Sequence, residues 1–89
     1  VAGADAPRYE WDAGKAEINL AKHGVPFEAV QGFDWSTAIE AEDTRYDYGE
    51  TRMQALGVIG GRYHVLVYAW RAGRIRVISL RRANRREIR

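Results

Sequence analysis

The sequence predicts an α+β domain in which two N-terminal helices pack on a mostly antiparallel sheet, with a short C-terminal helix. Three observations carry that prediction. Helical spacing with recognisable caps fills residues 12–32, alternating strands broken by glycine turns fill 51–80, and Asn84 with Glu87 three residues on forms a capping box.

Taken in order, the opening "VAGADAP" lacks a methionine and is rich in small residues, so residues 1–8 are expected to be a leader and 9–89 a single domain. "YEWD" at 9–12 predicts a short strand. Asp12 then caps a helix in which Ala13, Ala16, Leu20 and His23 share the buried face. Lys22 and His23 suit its negative C-terminal end, and Gly24 supplies the left-handed stop. Pro26 opens a second, shorter helix that packs Phe27, Ala29 and Val30 before Gly32. "TAIEAE" at 37–42 alternates as an edge strand, and "DTRYDYGE" is a loop.

The last third reads as three strands joined by the turns Gly60-Gly61 and Ala72-Gly73. With two-residue turns the register follows. Ala69 lies between Arg52 and Arg76, and Arg71 pairs with Arg74, so four arginines share a patch whose far end is apolar through Val67, Ile78, Val65 and Leu80. The other face collects Met53, Leu66, Tyr68, Trp70, Ile75 and Val77 for the helices to cover. His64 falls on that face, opposite Gly57 and Arg81.

Charge gives the strongest functional signal. Residues 1–50 hold four Lys or Arg against eleven Asp or Glu, a balance of −7, whereas residues 51–89 hold ten Arg against one Glu, a balance of +9. The basic half calls for an anionic partner, and the choice of guanidinium over ammonium suits bidentate phosphate recognition. Like charges directly opposite in a sheet cost roughly 0.2–1 kcal/mol per pair, so the fold gains nothing from these arginines. There is no cysteine, metal-ligand spacing, phosphate loop or nucleophile elbow, so no cofactor or metal is expected. The apolar runs are far too short to cross a bilayer, and the expected location is the cytoplasm.

Arginines without a metal or strong acid–base pair point to RNA, which carries its own 2′-hydroxyl nucleophile and needs transition-state charge stabilised. A non-catalytic RNA- or DNA-binding module would use the same residues for phosphate contacts. A protein-interaction subunit would satisfy its basic face with an acidic partner segment.

Two blocks of the chain carry a family resemblance. "YEWDAGKAEINLAKHGVPFEAV" and "RIRVISLRRANRRE" together resemble the two hallmarks of the BrnT family of bacterial ribonuclease toxins, covering residues 9–89. The resemblance implies a RelE-like fold and endoribonuclease activity. It also implies neutralisation by a BrnA-like antitoxin whose ribbon-helix-helix domain binds operator DNA, the two proteins forming a heterotetramer. Carried over residue by residue, the second block gives Arg76, Arg81, Arg85, Arg86 and Glu87 as site residues. The expectation is that Arg76 and Arg81 hold the scissile phosphate, Arg85 or Arg52 stabilises developing charge, and Glu87 or His64 accepts a proton. Arg52, Arg71, Arg74 and Arg86 contact RNA. Leu80 stands where the family usually has Ala, and the family's last helix usually runs on beyond the point where this chain ends.

Overall fold

The computed structural model describes residues 8–88. Most of the expected leader therefore lies outside the described residues. Arg8 is within them, and its carbonyl accepts a hydrogen bond from the Ile75 N–H at 2.8 Å. In chain order the elements are β1 (Tyr9–Glu10), α1 (Ala13–His23), a 3-10 helix (Phe27–Gly32), β2 (Asp34–Glu42), β3 (Met53–Ile59), β4 (Arg62–Arg71), β5 (Arg74–Arg82) and α2 (Arg85–Ile88). The strands form one sheet in the order β1-β5-β4-β3-β2.

Two parts of the expected architecture are corrected. Only one N-terminal α-helix forms. The segment after Pro26 is a six-residue 3-10 helix, whose i and i+3 side chains eclipse and so aim Phe27 and Val30 together into the core, both fully buried. The sheet is mixed as well. β2 to β5 are antiparallel, but β1 joins β5 in parallel, with Tyr9 beside Ile75 and Glu10 beside Arg76.

The caps of α1 form as the sequence reads. The Asp12 carboxylate accepts from the Lys15 N–H at 2.9 Å, and Gly24 adopts φ 72° while its N–H reaches the Leu20 carbonyl. The buried face is different, since Ala13 and Leu20 are exposed and Ala16, Asn19 and His23 turn inward. Asn19 explains the rotation. Its carboxamide bonds the backbone of Leu80 in both directions, at 2.7 and 3.2 Å, and also donates to the Val25 carbonyl at 3.1 Å. The helix is thereby fixed to the edge of β5 by polar contacts as well as by its apolar stripe.

The core lies between α1, the 3-10 helix and one face of the sheet. Val25, Phe27, Val30 and Phe33 pack on Ala55, Leu66, Tyr68, Ile75, Val77 and Leu80. An aromatic run extends it, with Phe33 against Trp35 at 4.7 Å and Trp35 against Tyr68 at 5.5 Å, both edge to face. Trp35 also donates through Nε1 to the Tyr9 hydroxyl. Gly57 is required by this packing: a Cβ there would fall 2.5 Å from Cζ of Phe33.

The first hairpin has the expected register, pairing Met53 with Tyr68 and Leu56 with Val65. The second begins as expected, with Arg71 opposite Arg74 and Ala69 opposite Arg76, and its turn places Ala72 and Gly73 at positive φ. Beyond Tyr68 and Val77 the register shifts by one residue. This bulge corrects three expected pairings, the first being that Ser79 and not Ile78 lies opposite Val67. Leu80 lies opposite Leu66 in the core and is not on the arginine face, and His64 lies opposite Arg82 and not Arg81. The extra residue also turns Arg81 to the far side of the sheet, opposite Val65.

Candidate active site

The sheet face away from the core is organised in three cross-strand rows. One runs Arg81, Val65, Leu56, Ile39; the next runs Ser79, Val67, Gln54, Ala41; the third places Arg76 beside Ala69 on β4, with Arg52 just before β3. Successive residues on one face are two positions apart along a strand, so adjacent rows stand about 6.6 Å apart. Arg81 and Arg76 thus flank an uncharged row. The bulge decides this, because a regular β5 ladder would have pointed residue 80 to this side and Arg81 toward the core.

Each of these arginines has a carboxylate neighbour. Arg81 bonds Glu87 through both terminal nitrogens, at 2.8 and 2.6 Å. Arg76 donates to Glu10 at 3.0 Å from the parallel edge strand. Glu50 stands 3.6 Å from Arg52 Nε and 3.7 Å from Arg71. The first of those is an ion pair without a hydrogen bond, and Arg52 Nε is buried with no partner. The guanidinium of Arg52 instead lies over the Tyr48 ring, 3.9 Å from its centroid. Arg76 and Arg81 keep a quarter or more of their side-chain surface exposed; Arg76 holds Glu10 by a single hydrogen bond, whereas the bidentate Arg81–Glu87 pair is the stronger of the two for an incoming phosphate to replace.

α2 begins with the expected capping box. Asn84 Oδ1 accepts from the Glu87 N–H at 3.0 Å, and Glu87 Oε1 accepts from the Asn84 N–H at 2.8 Å. The Arg81 hydrogen bonds are the main reason that Glu87 is pushed down to about 2; the backbone bond from Asn84 adds to the effect and burial opposes it. The same contact raises Arg81. Glu87 is therefore ionised at neutral pH, and both of its oxygens are already occupied.

Of the residues expected from sequence, Arg52, Arg76, Arg81 and Glu87 share one face, with Arg71 and Arg74 at its hairpin end. Arg85 and Arg86 are exposed on α2. His64 is on the other face, buried, with Nδ1 2.8 Å from the Arg62 carbonyl. A second imidazole is within electrostatic reach of Arg81: His23 is lowered by burial first, then by Lys22 and Arg81.

Several contributors escaped the sequence reading. Glu10, Glu50 and Tyr48 all belong to the acidic half, which supplies the counter-ions and stacking ring for the basic half. Asp43 is another. It is buried and donates its N–H to the Arg52 carbonyl at 2.7 Å, and its carboxylate takes two hydrogen bonds from Arg45 at 2.9 Å that hold it far below the usual carboxylate range. The only advance signal was the charge split between the halves.

An arginine-rich sheet face with a neighbouring carboxylate is suited to binding a phosphodiester and stabilising negative charge on it. A search among curated proteins finds no match for the chain. The family model described as "Ribonuclease toxin, BrnT, of type II toxin-antitoxin system" matches residues 11–87, which include every strand from β2 to β5, both α-helices up to Glu87 and all the arginines of this face. The chain belongs to the BrnT family of ribonuclease toxins of type II toxin-antitoxin systems.

Proposed function

We propose that this toxin is a metal-independent endoribonuclease that cuts RNA by attack of the RNA's own 2′-hydroxyl. The observation that carries the reading is the arrangement of Arg76, Arg81 and Arg52 on one face of the sheet, around the uncharged row of Val67 and Gln54. In this reading Arg76 and Arg81 exchange Glu10 and Glu87 for the scissile phosphate. The 2′-oxygen bonds to phosphorus as the bond to the 5′-oxygen breaks, leaving a 2′,3′-cyclic phosphate and a 5′-hydroxyl end. Arg52 or Arg85 stabilises the charge that develops on the phosphoryl oxygens.

Glu87 takes the proton from the 2′-hydroxyl, because His64 lies across the sheet, and solvent water supplies a proton to the departing 5′-oxygen. Once Arg81 turns to the phosphate, Glu87 loses the contact that chiefly lowers it, but even an ordinary carboxylate is a weak base at neutral pH, so proton transfer contributes little. Most of the acceleration falls to the guanidinium groups, for which one well-placed donor is worth roughly 10²–10³ in rate. As a type II toxin the protein has an antitoxin partner. That partner is BrnA-like, brings a ribbon-helix-helix domain to operator DNA, and assembles with the toxin as a cytoplasmic heterotetramer.

The test is incubation of antitoxin-free protein with labelled RNA in EDTA, with Arg81→Ala as control. Cyclic-phosphate ends produced by the parent alone support the reading. Cleavage that appears only when divalent metal is restored, or that Arg81→Ala performs equally well, rules it out.

A further inference from the structure

Beside Arg81, toward the free edge of the sheet, lies a groove of about 220 Å³ lined by Ile39, Ala41, Gln54, Leu56, Val65 and Glu87. Its floor is the continuation of the Arg81 row: Val65 pairs with Arg81, Leu56 with Val65, and Ile39 with Leu56. The apolar floor therefore begins one strand, about 4.8 Å, from the strand that carries the guanidinium. Glu87 belongs to both places, since it bonds Arg81 and lines the groove. Ile39 is 72% exposed at the outer end, an apolar side chain with nothing over it among the described residues.

The chemistry of this groove suits a nucleobase better than a second phosphate. A base offers an apolar face and a polar edge, and it follows its own phosphate by a few ångströms. One carboxylate, Glu87, borders the space and opposes a further anion there, while the Glu40 carboxylate is on the other face, where it accepts from the Tyr68 hydroxyl. Gln54 is the one carboxamide in the lining and stands in the uncharged row between Val67 and Ala41. A carboxamide presents an acceptor and two donors side by side, the pattern that pairs with adenine at N6 and N7.

We infer that the groove takes the base of the nucleotide whose phosphate Arg81 holds, and that Gln54 reads the edge of that base, so that adenine is preferred at the cut site. The inference rests on the ribonuclease reading given above. It adds to that reading a specificity-determining residue and a base pocket. Continuity with Arg81 ties the occupant to RNA; an apolar side chain of a protein partner is the competing occupant.

The experiment uses the full chain and four short RNA oligonucleotides, made uncleavable by a single 2′-deoxy sugar and differing only in the base at that position. The wild type should bind the adenine oligonucleotide more tightly by roughly 5- to 100-fold. Gln54→Ala should keep binding but flatten the order of the four, and Gln54→Glu, which can only accept, should move the preference toward cytosine. Arg81→Ala should weaken all four alike. Equal binding of the four by the wild type, or an order that survives Gln54→Ala, overturns the inference and leaves the groove to a protein partner. Cleavage in EDTA is scored separately, so a failed base pocket with intact cleavage is distinguishable from failure of the nuclease reading. Binding of none of the four overturns the inference as well, and the cleavage assay then decides the reading beneath it.

Discussion

The carboxamide of Asn19 and the backbone of Leu80 hydrogen-bond in both directions, 61 residues apart in the chain. In effect a side chain on α1 serves as one more strand residue at the edge of β5, just past the point where β1 stops pairing. With its third bond to the Val25 carbonyl, Asn19 ties the helix, the turn after it and the sheet together. Leu80 is the residue that the β-bulge brings into the core, so this contact also holds the register that sends Arg81 to the opposite face.

Asn19→Ala should therefore be strongly destabilising for a polar-to-alanine change. It would leave two backbone carbonyls and one N–H without their partner, and the expected loss is about 2–4 kcal/mol. Urea denaturation, read as a fall in midpoint with an unchanged slope, checks this. Asn19→Asp should be no better, since a carboxylate keeps one acceptor but faces the Leu80 and Val25 carbonyls with no donor. Full stability in the Asp variant would contradict the assignment of those bonds.

Arg76→Ala combined with Arg81→Ala should abolish growth arrest on induction, while Lys22→Ala, at the exposed end of α1, should leave it intact. Each arginine is expected to contribute roughly 10²–10³ in rate, so the single variants should lie in between. Circular dichroism of the purified proteins establishes that the double variant is folded. Persistent toxicity in a folded double variant would move the site elsewhere.

The Glu87 shift predicts a particular pH dependence. Its folded pKa, about 2, is below the ordinary value of 4.5, so the folded state favours the ionised form. The stabilisation is complete above about 4.5 and is lost as the pH falls toward 2. With the pair 28–29% exposed, solvent screening reduces the effect to about 1–2 kcal/mol. Stability measured from pH 6 to 2 should show this component in the wild type and lack it in Glu87→Gln. An identical acid profile in both would show that the Arg81 contact does not persist in solution.

Gly57→Ala tests the core without touching the arginine face. The added methyl would meet Phe33 at 2.5 Å, and overpacking of this kind costs about 1–3 kcal/mol. Phe33→Leu in the same chain should recover part of the loss by making room. Thermal unfolding of the single and double variants measures the coupling, and simple additivity would argue against the close approach.

Much of the local structure was legible in the sequence because it depends on neighbours a few residues apart. Asp12 and Gly24 bound α1, the turn residues define both hairpins, and Asn84 with Glu87 starts α2; each is a contact of four residues or fewer. The segment after Pro26 was read as an α-helix because its apolar spacing fits either helix type. Its 3-10 form follows from the need to aim Phe27 and Val30 the same way within six residues. Helical spacing groups Leu20 with Ala13, Ala16 and His23 on the buried face of α1, whereas the face is chosen by Asn19, whose partner is a distant strand edge.

By itself the sequence determined the α+β class, its caps and turns, and a strongly basic second half whose arginines alternate along strands. These follow from propensity, periodicity and net charge, which are summed along the chain. The turn lengths already put Arg52, Arg71, Arg74 and Arg76 on one face; only the tertiary structure added Arg81 to them and decided what they touch. The bulge in β5 reverses the sense of alternation after Val77, and no residue count reveals an inserted position. The partners of the arginines, Glu10 across the parallel pair and Glu50 in the loop before β3, come from the acidic half of the chain. Their roles depend on strand order, which is set by packing and hydrogen bonding between segments that the sequence keeps far apart.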